Sequence, residues 1–339
     1  MTCAIGDHVS GTGFNGLHHQ GIVQEVNDTY VFLKKDLQRG CRILLAAETV
    51  VKLEPLEPFL KYAGGKRKLV SAIAHYWQPY CDRRFVELFV GSAAVALGLR
   101  PQEALLNDLN PHLINLHLWV QRGLEITLPM KNDKEYYLAQ RTNFNQLIEV
   151  NQAWSAAAAQ LLYYLNHNDY NGLMRFNGSG FFNAPFGKYK TVNYIKDFSP
   201  WQQAFQRWEF TAGEFADVKL QPSDFVYADP PYDQVTASED GAEQMVLLDE
   251  GQENGRGFTT YSGDRFTWID QLNLAKQLAA HPGPVLISNA ATPRIVELYE
   301  RLGFQIQFVS EARHINCNGS DRKPANCLLA WKNPVHTTP

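Results

Sequence analysis

The chain has no run approaching the roughly 18 apolar residues that a membrane span requires, and its opening residues lack a basic stretch leading into an apolar core. A cytoplasmic location is expected. Cysteine is scarce: the five, at positions 3, 41, 81, 317 and 327, are odd in number and fall in no CxxC or Cys/His zinc spacing, so reduced thiols are expected and a structural metal is not. Internal repeats and low-complexity tracts are missing too. A surplus of positive charge is also lacking. The net charge of −4 weighs against a nucleic-acid binder, since phosphate contacts need Lys and Arg. The total hides a local split, however. Asp233 to Arg256 holds seven acids against one Arg, a net −6 that leaves the rest of the chain near +2. An acidic segment looped into solvent leaves DNA open as a partner.

What is present belongs to an ordinary globular protein, with 45% hydrophobic and 19% charged residues in 339. That length suits two or three modules, or one large α/β domain with insertions. Residues 1–56 read as a small all-β unit, an SH3-like barrel being the natural expectation. Short apolar runs at 21–23, 30–33, 42–45 and 49–53 are separated by Gly, Asn and Asp turn signals. Six acids against five Lys or Arg in residues 1–55 give this unit no electrostatic footprint for DNA. Glu54-Pro55-Leu56-Glu57-Pro58 makes a stiff boundary.

From Phe59 the pattern alternates between strands and helices. Buried strands are expected at 84–90, 104–106, 224–228 and 284–288, and helices at 93–99, 111–119, 267–280 and 293–302. This is a doubly wound α/β sheet, and residues 305–309 and 327–331 could add an antiparallel edge. Residues 120–196 break the rhythm and read as an insertion, helical over 151–164. A hairpin is expected from Asn166 to Lys190, a stretch crowded with Asn, Gly, Tyr and Phe.

Asp229-Pro230-Pro231-Tyr232 directly follows a strand, at the end of the sheet where open α/β folds bind ligands. An aromatic amine is a poor nucleophile because its lone pair is delocalised. A carboxylate and a fixed carbonyl can accept its two hydrogens and localise that pair toward an electrophile. Asp229 and the Pro230 carbonyl supply both acceptors, the prolines stiffen them, and Tyr232 can stack on the ring. A proline-capped strand end with a surface Asp is the bland alternative.

Phe85-Val86-Glu87-Leu88-Phe89-Val90-Gly91 runs from strand into a glycine turn that a nucleotide-like cofactor could approach. Gly91-Ser92-Ala93 lacks the dinucleotide G-x-G, which disfavours a dehydrogenase. Asp108, about twenty residues past Glu87, could accept ribose hydroxyls or could merely cap a helix. Lys61-Tyr62-Ala63-Gly64-Gly65-Lys66 could wrap a small ligand and bind its carboxylate, or be a solvated basic loop.

Together these residues resemble the DNA adenine methyltransferase (Dam) family over roughly residues 59–332. The likeness extends to Asn107-Asp108-Leu109-Asn110, to Ser288-Asn289, and to an insert spanning Tyr170 to Asn177 and Phe182 to Lys190. It implies a Rossmann-like S-adenosylmethionine-dependent methyltransferase domain, residues 57–119 and 197–335, with an inserted, mainly helical target-recognition domain at 120–196. The implied reaction is direct transfer from the sulfonium to N6 of a flipped adenine in double-stranded DNA, within GATC. Neither a metal nor a cysteine nucleophile is needed.

By the same likeness Asp229, Pro230 and Tyr232 are catalytic, and Tyr62, Lys66, Glu87, Phe89, Gly91, Asp108 and Asp229 bind S-adenosylmethionine. Tyr170 wedges into the base stack, Leu173 and Pro185 contact bases, and Arg175 pairs with guanine. Lys61, Asn171, Asn177 and Lys190 complete the DNA-binding set. The protein is expected to be a bacterial or phage monomer without membrane contact. Three features depart from the family pattern: His167-Asn168-Asp169 replaces Arg-Tyr-Gly, Ala93 replaces a glycine, and the segment 233–257 is long. Cytosine-N4 enzymes usually carry serine where Asp229 stands. RNA is not excluded by the tetrapeptide alone, and a non-catalytic regulator would typically have lost the acid or the aromatic.

Overall fold

The computed structural model describes residues 3, 7–13, 18–26, 30–33, 44–233, 266–311 and 325–333. The long acidic segment after Asp233 lies outside them. Strands β1 (His8–Thr12), β2 (His18–Val26), β3 (Tyr30–Leu33), β4 (Leu44–Ala46) and β5 (Val51–Lys52) form one antiparallel sheet in the order β4-β3-β2-β1-β5. Val9, Val23, Val31, Leu33 and Leu45 alternate inward to make its core. The expected strands are present, at shifted boundaries, together with β1, which the turn signals did not announce. This sheet sits against the following unit through His8, edge-on to Trp77 at 5.6 Å, and through Gln20 Nε2, which donates to the Arg100 carbonyl at 2.7 Å.

The rest is a mixed seven-stranded sheet with helices on both faces. Its strands are β6 (Phe85–Glu87), β7 (Ala104–Asp108), β8 (Trp208–Ala212), β9 (Phe225–Ala228), β10 (Val285–Ala290), β11 (Gln305–Glu311) and β12 (Ala325–Lys332). The order is β11-β12-β10-β9-β6-β7-β8. β12 alone among these runs against its neighbours, confirming the antiparallel edge. From β6 the chain winds outward through β7 and β8, then returns to lay β9 and β10 on the other side. The switch point therefore falls between β6 and β9, the crevice where such sheets bind ligands.

The helices are α1 (Val70–Trp77), α2 (Ala94–Leu99), α3 (Pro111–Gln121), α4 (Lys134–Glu149), α5 (Ala156–Asn168), α6 (Ser199–Phe205), α7 (Trp268–Ala280) and α8 (Pro293–Arg301). Successive strand residues feed opposite cores. Phe85, Leu106, Tyr227, Leu286 and Leu329 join α1, α2, α3, α5 and α6, whereas Val86, Leu105, Val226, Ile287 and Leu328 join α7 and α8. Strands buried on both faces explain the continuous apolar runs in the sequence. Helix starts carry their own signals: Asn110 caps α3 ahead of Pro111, and Thr267 with Asp270 forms a capping box on α7. The cap at α3 is thus Asn110, not Asp108.

Two expectations in the insertion need correction. The helix expected over 151–164 starts later, at Ala156 behind the Ser155 cap, and runs on through Asn168. Asn166, His167 and Asn168 are therefore buried helical residues, and the hairpin proper begins at Asp169, which bridges to Phe186. α4 was not anticipated; it buries Tyr137, Gln140 and Phe144, a face whose apolar signal is diluted by a glutamine.

Candidate active site

Three adjacent parallel strands end in carboxylates. Glu87 of β6 is in register with Leu106 of β7 and with Tyr227 of β9, so Asp108 and Asp229 each lie two residues beyond the pair that flanks it. Glu87 is buried, and its Oε2 has no hydrogen-bond partner. Burial pushes its pKa well above the ordinary value, and the Asp229 charge adds to the shift. Asp108 accepts from the backbone NH of Gly91 on Oδ2 and of Asn110 on Oδ1, both at 2.9 Å. Burial still raises its pKa against those two bonds.

The turn after β6 is held from several sides. Gly91 has φ +50°, and a Cβ there would meet Tyr62 Cε1 at 2.9 Å, so the ring of Tyr62 lies directly on the glycine. Ala93, where the family pattern has glycine, takes φ +58° and carries the left-handed strain itself. His117, buried on α3 and stacked on Phe210, bonds the Gly91 carbonyl through Nε2 at 2.9 Å. Burial lowers its pKa to about 4, so the neutral ring donates. Phe89 packs against Phe215 and Phe266.

These residues fit S-adenosylmethionine. A buried, unpartnered carboxylate oxygen on Glu87 calls for a donor such as an amino-acid ammonium. The raised pKa of Glu87 has a stability consequence. Unfolded, the carboxyl titrates near its ordinary value; folded, it titrates higher, so stability falls as pH rises through the interval between the two. Glu87→Gln is expected to raise the melting temperature of the ligand-free protein more at pH 8 than at pH 5, while weakening cofactor binding. Calorimetric scans showing an equal or opposite shift at the two pH values would rule this out.

Asp229 is gripped on both oxygens. Ser288 Oγ donates to Oδ1 at 2.7 Å, with Tyr227 OH 2.8 Å behind it, and Lys66 Nζ lies 3.0 Å from Oδ2. The Lys66 ammonium also donates to the Gly64 carbonyl at 2.8 Å and stands 4.5 Å from the centre of the Tyr232 ring. The Tyr232 hydroxyl meets Cys327 Sγ at 3.1 Å, and Gln271 Nε2 donates to the Pro231 carbonyl at 2.9 Å. Asp233, after the tetrapeptide, is tied to Arg294 and Thr292. Ser288 had been matched without a role, and Cys327 and His117 were missed altogether. The sheet pairing of β10 with β12 delivers Cys327, which no local pattern could announce.

The hairpin carries its expected readers outward. Tyr170, Arg175, Asn177, Pro185 and Lys190 are exposed, Asn171 and Leu173 half-buried, and Met174, Phe176 and Phe182 face inward. Arg175 is braced by Asn183, through Nε to Oδ1 at 2.8 Å and Nη2 to the carbonyl at 3.1 Å. Asn177 Oδ1 accepts from the backbone of Ser179 and Phe181 and so shapes the tip. Lys61 turns inward, with Nζ on the His167 carbonyl at 2.8 Å and 3.9 Å from the Tyr189 ring centre. Its backbone is clasped both ways by Asn166, and Gly172, with φ +68°, packs where a Cβ would meet Lys61 Cβ at 2.7 Å. The loop before α1 and the hairpin are thus one packed piece.

The family model described as D12 class N6 adenine-specific DNA methyltransferase matches residues 62–315. A DNA N-6-adenine-methyltransferase of Escherichia phage P1 is 35% identical over 307 residues, which are 85% of this chain and 38% of that protein. The DNA adenine methylase of Vibrio cholerae is 32% identical over 291 residues, 81% of this chain and 96% of that protein. That of Escherichia coli K12 is 32% identical over 296 residues, 83% and 97% of the two chains.

Proposed function

The chain belongs to the D12 class of N6 adenine-specific DNA methyltransferases, and from that premise we propose that it extrudes an adenine from duplex DNA, within GATC, and seats it at Asp229 for methylation. The observation that carries this reading is the grip on Asp229. One oxygen is fixed by Ser288 while the other holds a cationic donor beside the Tyr232 ring, so an acceptor and an aromatic face already converge. A planar amine needs both.

S-adenosylmethionine supplies a methyl group on a sulfonium leaving group, and Tyr62, Glu87, Phe89, Gly91 and Asp108 would hold it at the ends of β6 and β7. Asp229 Oδ2 accepts one hydrogen of the amino group and the Pro230 carbonyl the other, drawing the nitrogen toward tetrahedral geometry. Ser288 keeps the carboxylate from rotating, and as positive charge grows on the nitrogen Asp229 stabilises it. Cys327, through the hydroxyl, keeps the Tyr232 ring in place against the base.

Residues 120–196 serve as the target-recognition domain, with Tyr170 as wedge and Arg175 as guanine reader. Residues 1–56 form an SH3-like accessory domain whose strand order, with β5 beside β1, supports that description. The setting is the cytoplasm of a bacterium or of a phage-infected cell, and the unit is a monomer. Single-base sequencing of DNA methylated by the protein should place N6-methyladenine in GATC. Methylation scattered over other adenines would reject the hairpin assignment and leave the catalytic one standing. Arg175→Ala should relax discrimination at the guanine by about 5- to 150-fold, the weight of one bidentate base contact. Unchanged discrimination in competition between GATC and singly substituted duplexes would remove Arg175 from the reading set.

A further inference from the structure

Lys66 follows the double glycine of the loop before α1, where Gly64, at φ +81°, turns the backbone so that the Lys66 ammonium folds back onto the Gly64 carbonyl. Its other two contacts are the Asp229 carboxylate and the face of Tyr232. The side chain is 6% exposed and that of Asp229 17%, so this is an enclosed contact rather than a surface pair. The family likeness assigns Lys66 to the cofactor, yet its ammonium stands in the acceptor seat. A carboxylate oxygen to accept an N–H, with an aromatic face beside it, is the set that an adenine amino group and its ring require.

We propose that the Lys66 ammonium is a stand-in for the substrate amine: it occupies the acceptor seat while no base is present and must withdraw before the adenine can enter. This rests on the reading that the base is extruded to Asp229. The stand-in keeps the Asp229 carboxylate aimed and shields it from water, but it competes with the base for the same oxygen. Direct transfer requires the sulfonium in line with the nitrogen held at Asp229. A second positive charge there disfavours the ammonium in a poorly solvated site, so donor binding opens the acceptor seat. The loop carrying Lys66 also carries Lys61, which packs against the hairpin at Gly172, so withdrawal of the ammonium and seating of the hairpin involve one segment.

The test uses the full chain and a GATC duplex with 8-vinyladenine at the target position, a base that keeps the N6 amine and whose fluorescence rises on unstacking, with binding followed separately by anisotropy. Without cofactor, Lys66→Met should shift the duplex-bound complex toward the extruded state by about tenfold relative to the parent, the weight of one charge-assisted hydrogen bond removed from the competitor. Sinefungin, a cofactor analogue with an amine in place of the sulfonium, should raise the parent toward the variant's level and change the variant little. Lys66→Gln, which keeps a neutral donor of similar length, should fall between them and replaces Lys66→Met should the latter not fold. Extrusion by either folded variant equal to or below that of the parent, without cofactor, overturns the stand-in and makes Lys66 a residue that holds the base. If neither parent nor variants, with or without sinefungin, fluoresce above the free duplex while anisotropy reports a bound duplex, base extrusion itself fails, and the inference falls with it.

Discussion

Asp229→Asn is expected to lower single-turnover methyl transfer to a GATC duplex by about 10²- to 10³-fold, the range seen when one preorganised polar group facing a developing charge is removed. The substitution preserves shape and should leave duplex affinity close to that of the parent, because the hairpin residues proposed to read the duplex are untouched. Chemically it is severe. An amide presents either a weaker neutral acceptor or an N–H to the substrate amine, and Ser288, which donates to Oδ1, can keep donating in only one of the two amide orientations. The Lys66 ammonium also loses its counter-charge. Transfer of labelled methyl groups within tenfold of the parent's rate would mean that the Pro230 carbonyl suffices and that the role given to Asp229 is wrong.

Arg84→Met is expected to destabilise the fold by about 3–5 kcal/mol, because it strands a buried carboxylate. Asp224 is fully buried at the start of β9, and Arg84, at the start of β6, grips it with Nε to Oδ1 at 3.0 Å and Nη2 to Oδ2 at 2.7 Å. The fork also reaches the Lys219 carbonyl, so the pair ties together the two strands that flank the ligand crevice. The double variant Arg84→Met, Asp224→Leu should recover part of the loss, since neither charge then remains inside. Recovery will stop short of complete, because Asp224 Oδ2 also accepts from the Gln221 backbone. Denaturant titration giving a loss below about 1 kcal/mol for the single variant would place the pair among weakly contributing surface bridges.

The parts of the fold legible in the sequence are those whose physics is local. Phe85 to Glu87, Phe225 to Ala228 and Val285 to Ala290 are buried on both faces and read as strands from continuous apolar runs. Thr267 opens the helix expected from it, whereas α3 is capped by Asn110 and not by the Asp108 that the sequence suggested. Trp208 to Ala212 escaped because an edge strand with Glu209 exposed and the polar Thr211 half-buried has a short, mixed pattern. Asn166 to Asn168 read as turn, yet they are helical because Asn166 is paired with the distant Lys61 backbone and His167 with the Phe59 carbonyl. At the site, Asp229 and Asp108 follow from their positions at strand ends and Glu87 from its place in the strand that runs into the glycine turn. Cys327 and His117 do not, because each acts through strand pairing or helix packing that no spacing encodes. The contact between the Lys66 ammonium and Asp229 is of the same kind: both residues were singled out, but only the folded loop reveals that they meet.

The position of β12 has a consequence for how the enzyme is made. Among the described strands it is the last to leave the ribosome, yet its place is between β10 and β11, not at the margin. Until residues 325–332 emerge, the nascent sheet exposes an unpaired β10 edge, with its row of backbone donors and acceptors open to wrong partners. Cys327 rides on that strand, so the Tyr232 hydroxyl lacks its Cys327 contact until residues 325–332 have emerged. A ribosome-bound fragment that lacks β12 therefore carries no finished site for modifying the genome beside it.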